Sequence, residues 1–277
     1  MNHEKLVQIY RAKHELWLKY LFSSFAISNE NIKNKLQDMA NIEFRHLKWL
    51  SNKLKEEGIK YDYERNHLNI KLDTAFLYYE YLINQTKMVM KHYEEDVLFA
   101  RIISDEYYFI STLESLFEDT SNDEDILAFN MDRKYLDKNL DEISTDALTL
   151  FLFEETYKEY ELILIYAYMQ NYTDNITLYN VYQDLIDESL FHLKCFGNML
   201  AIMGILAIPR VVLKQFYQRD DIKQFLLDGI DEEKLAKEEC RKLAEAVRDD
   251  ELSKFFDFIN YQENYHIELM QKAVKEL

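Results

Sequence analysis

Glycine and proline are nearly absent: four glycines and one proline serve 277 residues. Tight turns draw heavily on both. The shortage excludes a turn-rich β architecture and predicts long helices, an all-α chain. Cysteine is equally scarce. Cys195 and Cys240 stand alone, with no C-x-x-C pair. That excludes a zinc ribbon, a rubredoxin-like iron centre and a disulfide framework, and it predicts a reduced, cytoplasmic setting. No apolar run is long enough to span a bilayer: the most apolar stretch, 199–208, is closed by Pro209. The opening M-N-H-E-K-L-V-Q carries no apolar core of the kind a signal peptide needs. Positive charge is the minority, 33 Lys and Arg against 51 Asp and Glu, a net charge of −18. This disfavours nucleic acid and anionic membranes as partners.

What is present is a hydrophobic content of 48%, enough for a globular chain with a real core. Apolar residues recur at helical spacing over 4–26, with Leu6, Tyr10, Trp17 and Leu21 in one stripe. Further helices are predicted at about 30–57, ended by Gly58, then 72–93 and 97–118. A polar, aperiodic crossover covers 58–70. A charged, irregular segment at 119–143 predicts a boundary between a domain at 1–120 and one at 143–277. The second domain reads as helices at 145–171, 174–205, 231–247 and 250–276. A shorter inserted helix follows Pro209 at 210–227 and is ended by Gly229.

Within these helices lie candidate metal ligands. Glu263 and His266 stand at i and i+3, which puts carboxylate and imidazole on one helix face. That donor pair suits iron, manganese or zinc. Glu43 and His46 repeat the spacing. Glu64 and His67 do too, but in the crossover, where the match is chance. An internal repeat links the halves: D-M-A-N-I-E-F-R-H-L-K from residue 38 aligns with D-L-I-D-E-S-L-F-H-L-K from residue 184, an offset of 146. The offset takes Glu15 onto Glu161 and His46 onto His192. Glu43 falls on Ser189, with Glu188 adjacent and at i, i+4 from His192. A second offset, 157, takes Glu106 onto Glu263 and Phe109 onto His266.

Four long helices per half, two with a lone Glu and two with Glu and His, resemble the ferritin-like di-iron or di-manganese carboxylate proteins, the rubrerythrin-type branch in particular. The resemblance covers nearly the whole chain as two tandem four-helix bundles. For the C-terminal copy it implies Glu161, Glu188, His192, Glu239, Glu263 and His266 as ligands of two iron or manganese ions. Glu239 is preferred to Glu238 because its face neighbours include Leu235, Ala236 and Leu243. Asp187 is the substitute for Glu188, and Asp187, Tyr265 or Glu268 would orient the ligands. For the N-terminal copy the matching positions are Glu15, Glu43, His46, Glu80 and Glu106. Phe109 cannot ligate, so this copy is expected to hold two ions, one or none, with His92 and His14 as replacement ligands.

The activity implied is reaction with dioxygen or peroxide, using electrons from a separate donor because rubredoxin-like cysteines are missing. Iron binding or storage without turnover, and a metal-free helical interaction protein, are the competing expectations. Oligomeric state stays open.

Overall fold

The computed structural model describes residues 3–93, 96–119, 126–129, 133–135, 138–219 and 221–277. Among them the chain is all-helical, with no β-strand. Ile27 and Ile126 form an isolated antiparallel bridge. The chain divides into two compact units, Met1–Asn130 and Met131–Leu277. Much of the segment predicted as a boundary at 119–143 lies outside the described residues. Among the described residues, no helix is long and apolar enough to cross a membrane.

The first unit contains α1 (His3–Ala26), α2 (Glu30–Glu56), α3 (Ala75–Met90) and α4 (Val97–Glu118). The helix α1 packs on α2 and α3, and α4 packs on α3 and α2, so the four close into a ring. Polar side chains set the starts. Asn29 accepts the backbone N–H groups of Asn31 and Ile32, and Asp96 accepts that of Leu98. Each satisfies donors that the first helical turn leaves open. Gly58 ends α2 with φ at +71°. The N–H of Ile59 returns to Leu54 O at 2.8 Å, closing the last turn.

The crossover is less polar than its composition suggests. Tyr61, Tyr63, Leu68 and Ile70 are buried. The ring of Tyr61 lies 4.5 Å from that of Tyr10. Arg11 clasps Asp62 with two hydrogen bonds of 2.7 Å each.

The second unit contains α5 (Glu142–Tyr172), α6 (Ile176–Ile202), α7 (Lys214–Tyr217), α8 (Ile222–Val247) and α9 (Asp250–Glu276). The long helices pair as in the first unit: α5 with α6 and α8, α9 with α8 and α6. Near one end, Leu148, Leu152, Phe196, Leu200, Leu243 and Phe256 form a hydrophobic core. The helix expected at 210–227 is only the four residues of α7. Residues from Ile222 belong to α8, which Asp221 caps by accepting the N–H of Gln224 at 2.8 Å. Gly229 therefore sits inside a helix. A Cβ there would lie 3.2 Å from Met270 Sδ, so the glycine lets α9 approach closely.

Candidate metal centre

Each long helix of the second unit contributes a buried ionisable side chain to one region. Glu159 comes from α5, His192 from α6, Glu233 from α8, and Glu263 with His266 from α9. All five are at most 5% exposed. They form two groups whose ligand atoms lie within 4.8 Å of one another: Glu159, His192 and Glu263; then Glu233, Glu263 and His266. Glu263 belongs to both. Glu159 Oε1 is 2.9 Å from His192 Nδ1, and Glu263 Oε1 is 3.9 Å from the same nitrogen. On the other side Glu263 Oε2 is 2.9 Å from His266 Nδ1, while Glu233 Oε1 is 3.8 Å from it. The two imidazole rings are 5.4 Å apart. Three buried polar atoms of this set have no hydrogen-bond partner: Glu159 Oε2, Glu263 Oε2 and His266 Nε2. Glu263 Oε2 meets His266 as an ion pair only.

The electrostatics follow from this crowding. Burial, then the neighbouring Glu233 charge, pushes Glu263 up to about 8. Burial alone would also raise Glu233, but its polar contacts with His266 and Glu263 outweigh that and hold it at about 2. Burial opposes charge on His192, yet Glu159 overcomes it and lifts the imidazole to about 9. His266 is likewise disfavoured by burial and lifted to about 11 by Glu233 and Glu263. Lys158, beside Glu159 in sequence, keeps its charge against burial because Glu155, Glu233 and Glu159 surround it. Without metal, protons on the imidazoles balance the carboxylates.

The donor set fits a transition metal. It offers three carboxylates and two imidazoles, and oxygen and nitrogen atoms without hydrogen bonds are costly to bury unless something binds them. Each of the two groups could hold a metal ion, and Glu263 belongs to both.

The sequence-predicted residues fall in different places. The structure brings together Glu263, His266 and His192. Glu188 is half-buried and stands one step back: it accepts from Gln262 Nε2 at 2.9 Å, and Gln262 Oε1 lies 3.2 Å from His192 Nε2. Glu161 is half-buried and lines a separate cavity of about 350 Å³ with Tyr157, Lys158 and Arg219. Residues 159 and 161 are about 200° apart on a helix, so only one can face the centre. Glu159 continues the buried line of Leu152, Thr156, Ile163 and Tyr166. Glu239 is exposed, as is its supposed apolar neighbour Leu235 at 66%. The buried stripe of α8 runs through Ile230, Glu233, Ala236, Cys240 and Leu243. Glu233 lies inside the helix expected at 231–247, where Glu239 is the preferred ligand. Asp187 is exposed and accepts from Gln183, Glu268 is exposed, and Tyr265 points its hydroxyl at Asp184.

Compared with protein-family models, with curated proteins and with solved structures, the chain matches none.

In the first unit, Glu43, His46 and Glu106 are fully buried. Glu15 is half-buried at a surface cavity, where it accepts the N–H of Asn66 and meets Lys19. Glu80 and His92 are exposed. His14 is buried, and burial pulls its imidazole down to about 3. The residue that sequence reasoning missed is Lys13. It is fully buried, and its ammonium pairs with Glu43 and lies 2.7 Å from Glu106 Oε1. Phe109 packs its ring 5.6 Å from that of Tyr20. Among the described residues, no group of three close ligand atoms occurs in this unit.

Proposed function

We propose that the chain is a ferritin-like metalloprotein of two tandem four-helix bundles, and that the second holds a dinuclear iron or manganese centre. The observation that carries the reading is Glu263, shared between two buried groups of ligand-type side chains. The chemistry is oxidase- or peroxidase-like: the ions would exchange electrons with dioxygen or peroxide. The protein's own part is to hold and orient. Glu159, Glu233 and Glu263 would supply carboxylate oxygens to the ions, and His192 and His266 the nitrogens. Gln262 links His192 to Glu188 and fixes the ring's rotation, as outer hydrogen bonds do for ligating histidines. Electrons come from a separate donor, because the two cysteines are free and isolated. The isolated thiols suit a cytoplasmic setting.

A second reading has its own support. Lys158 and two protonated imidazoles supply positive charge without any ion, which suits a metal-free helical protein whose core is an ionic network. Equilibrium dialysis of stripped protein against Mn²⁺ separates them. The metalloprotein reading expects two ions per chain in the parent and loss of binding in Glu263→Ala. No binding to the parent would leave the ionic network. Peroxide consumption with an added reductant then separates turnover from storage.

A further inference from the structure

The two halves differ most sharply at one pair of positions. The offset of 146 that takes His46 onto His192 also takes Lys13 onto Glu159. Where the second unit buries a carboxylate at its centre, the first buries an ammonium. The offset of 157 adds a second change, Phe109 for His266. One ligand position has inverted its charge and another has become a hydrocarbon ring.

The geometry points to Lys13 as the first unit's own cation: its ammonium fills the position of a metal ion between Glu43 and Glu106. This unit therefore folds without metal, and removing the ammonium leaves Glu43, Glu106 and His46 as a site for one divalent transition-metal ion. The side chains of Lys13, Glu43 and Glu106 are all fully buried. Tyr93 donates to Glu106 Oε1 at 2.6 Å and so helps hold that carboxylate in place. Two buried carboxylates without a cation are costly, and the chain carries the cation on α1. The nitrogen ligand is ready. His46 Nε2 lies 3.2 Å from Asp105 Oδ2. If that nitrogen carries the proton, Nδ1 keeps its lone pair, and Nδ1 is buried without a hydrogen-bond partner, 3.6 Å from Glu43 Oε2. A carboxylate behind an imidazole is the usual support for a metal-binding histidine. Glu106 Oε2 and Glu43 Oε1 are also buried without hydrogen-bond partners. None of this depends on the second unit being loaded.

The test uses the full chain and Co²⁺, whose visible absorption reports the ligand set. Lys13→Ala removes the charge and opens space. It should bind one Co²⁺ per chain more than the parent in equilibrium dialysis, and adding Glu106→Gln should remove that extra ion. A folded Lys13→Ala variant with no extra ion overturns the proposal. So does a parent whose Co²⁺ count falls when Glu106→Gln alone is introduced. If Lys13→Ala folds only when Co²⁺ is present, the proposal stands. If it folds under neither condition, Lys13→Met and Lys13→Met/Glu106→Gln decide. Methionine keeps the bulk without the charge, so cooperative melting should be lost and then regained when one carboxylate is neutralised. No recovery in the double variant overturns the proposal.

Discussion

Metal-linked stability separates Glu159 from Glu161, two glutamates two residues apart on α5. A ligand that binds only the folded state stabilises it by RT ln(1 + [L]/Kd), about 4 kcal/mol at a thousand-fold excess over Kd. For a unit of this size each kcal/mol moves Tm by roughly 2–4 °C. Adding Mn²⁺ or Fe²⁺ to stripped protein should therefore raise the second unit's Tm by about 10 °C. Glu159 stands 2.9 Å from His192 and is 4% exposed, so Glu159→Ala should abolish most of the rise. Glu161 lines a separate cavity, and Glu161→Ala should leave the rise intact. Circular dichroism melts at several metal concentrations, anaerobic for Fe²⁺, measure it. Equal loss in both variants, or no rise in the parent, would refute the reasoning.

The pH dependence of stripped protein has a definite sign. Glu263, raised from 4.5 to about 8, contributes stability that is fully present below 4.5 and lost as pH rises through 8. His192 and His266, raised from 6.5 to about 9 and about 11, lose theirs above 6.5. Glu233, lowered to about 2, loses its contribution as pH falls from 4.5. Urea melts should place the maximum between these limits, with a steep alkaline decline that metal flattens. A stripped protein more stable at pH 9 than at pH 6 would contradict this. Phe256, fully buried in that hydrophobic core, should cost about 3–5 kcal/mol on replacement by Ala. Chemical denaturation checks it, and a loss below about 1 kcal/mol would mean that the core end is loosely packed.

Much of the fold was legible because helix signals were local. Asn29, Asp96 and Gly58 stand at helix ends, and each acts through its own side chain or backbone freedom. The centre was legible where ligands share a helix, as Glu263 and His266 do. It was less legible on α5, which carries apolar residues on most sides, so periodicity does not mark the inward face between Glu159 and Glu161. On α8, Glu233 lies inside the helix expected at 231–247, but Glu239 is preferred there partly for Leu235, which is exposed; Gly229 misplaces only the helix's start. A glycine in sequence reads as a helix end, and only the approach of Met270 from α9 shows it as a packing contact. Lys13 escaped because a lysine in a helix reads as solvated. Its burial depends on Glu43 and Glu106, which lie on two other helices. The 146-residue offset onto Glu159 was available as a signal, but its meaning needed the position of Glu159 first.

Anomalous diffraction from crystals of protein loaded with Mn²⁺, collected on both sides of the metal's absorption edge, tests the central claim most directly. Two peaks should flank Glu263, one towards Glu159 and His192, the other towards Glu233 and His266, with none between Glu43 and Glu106. An absence of anomalous density at Glu263, or a peak in the place of the Lys13 ammonium, would contradict it.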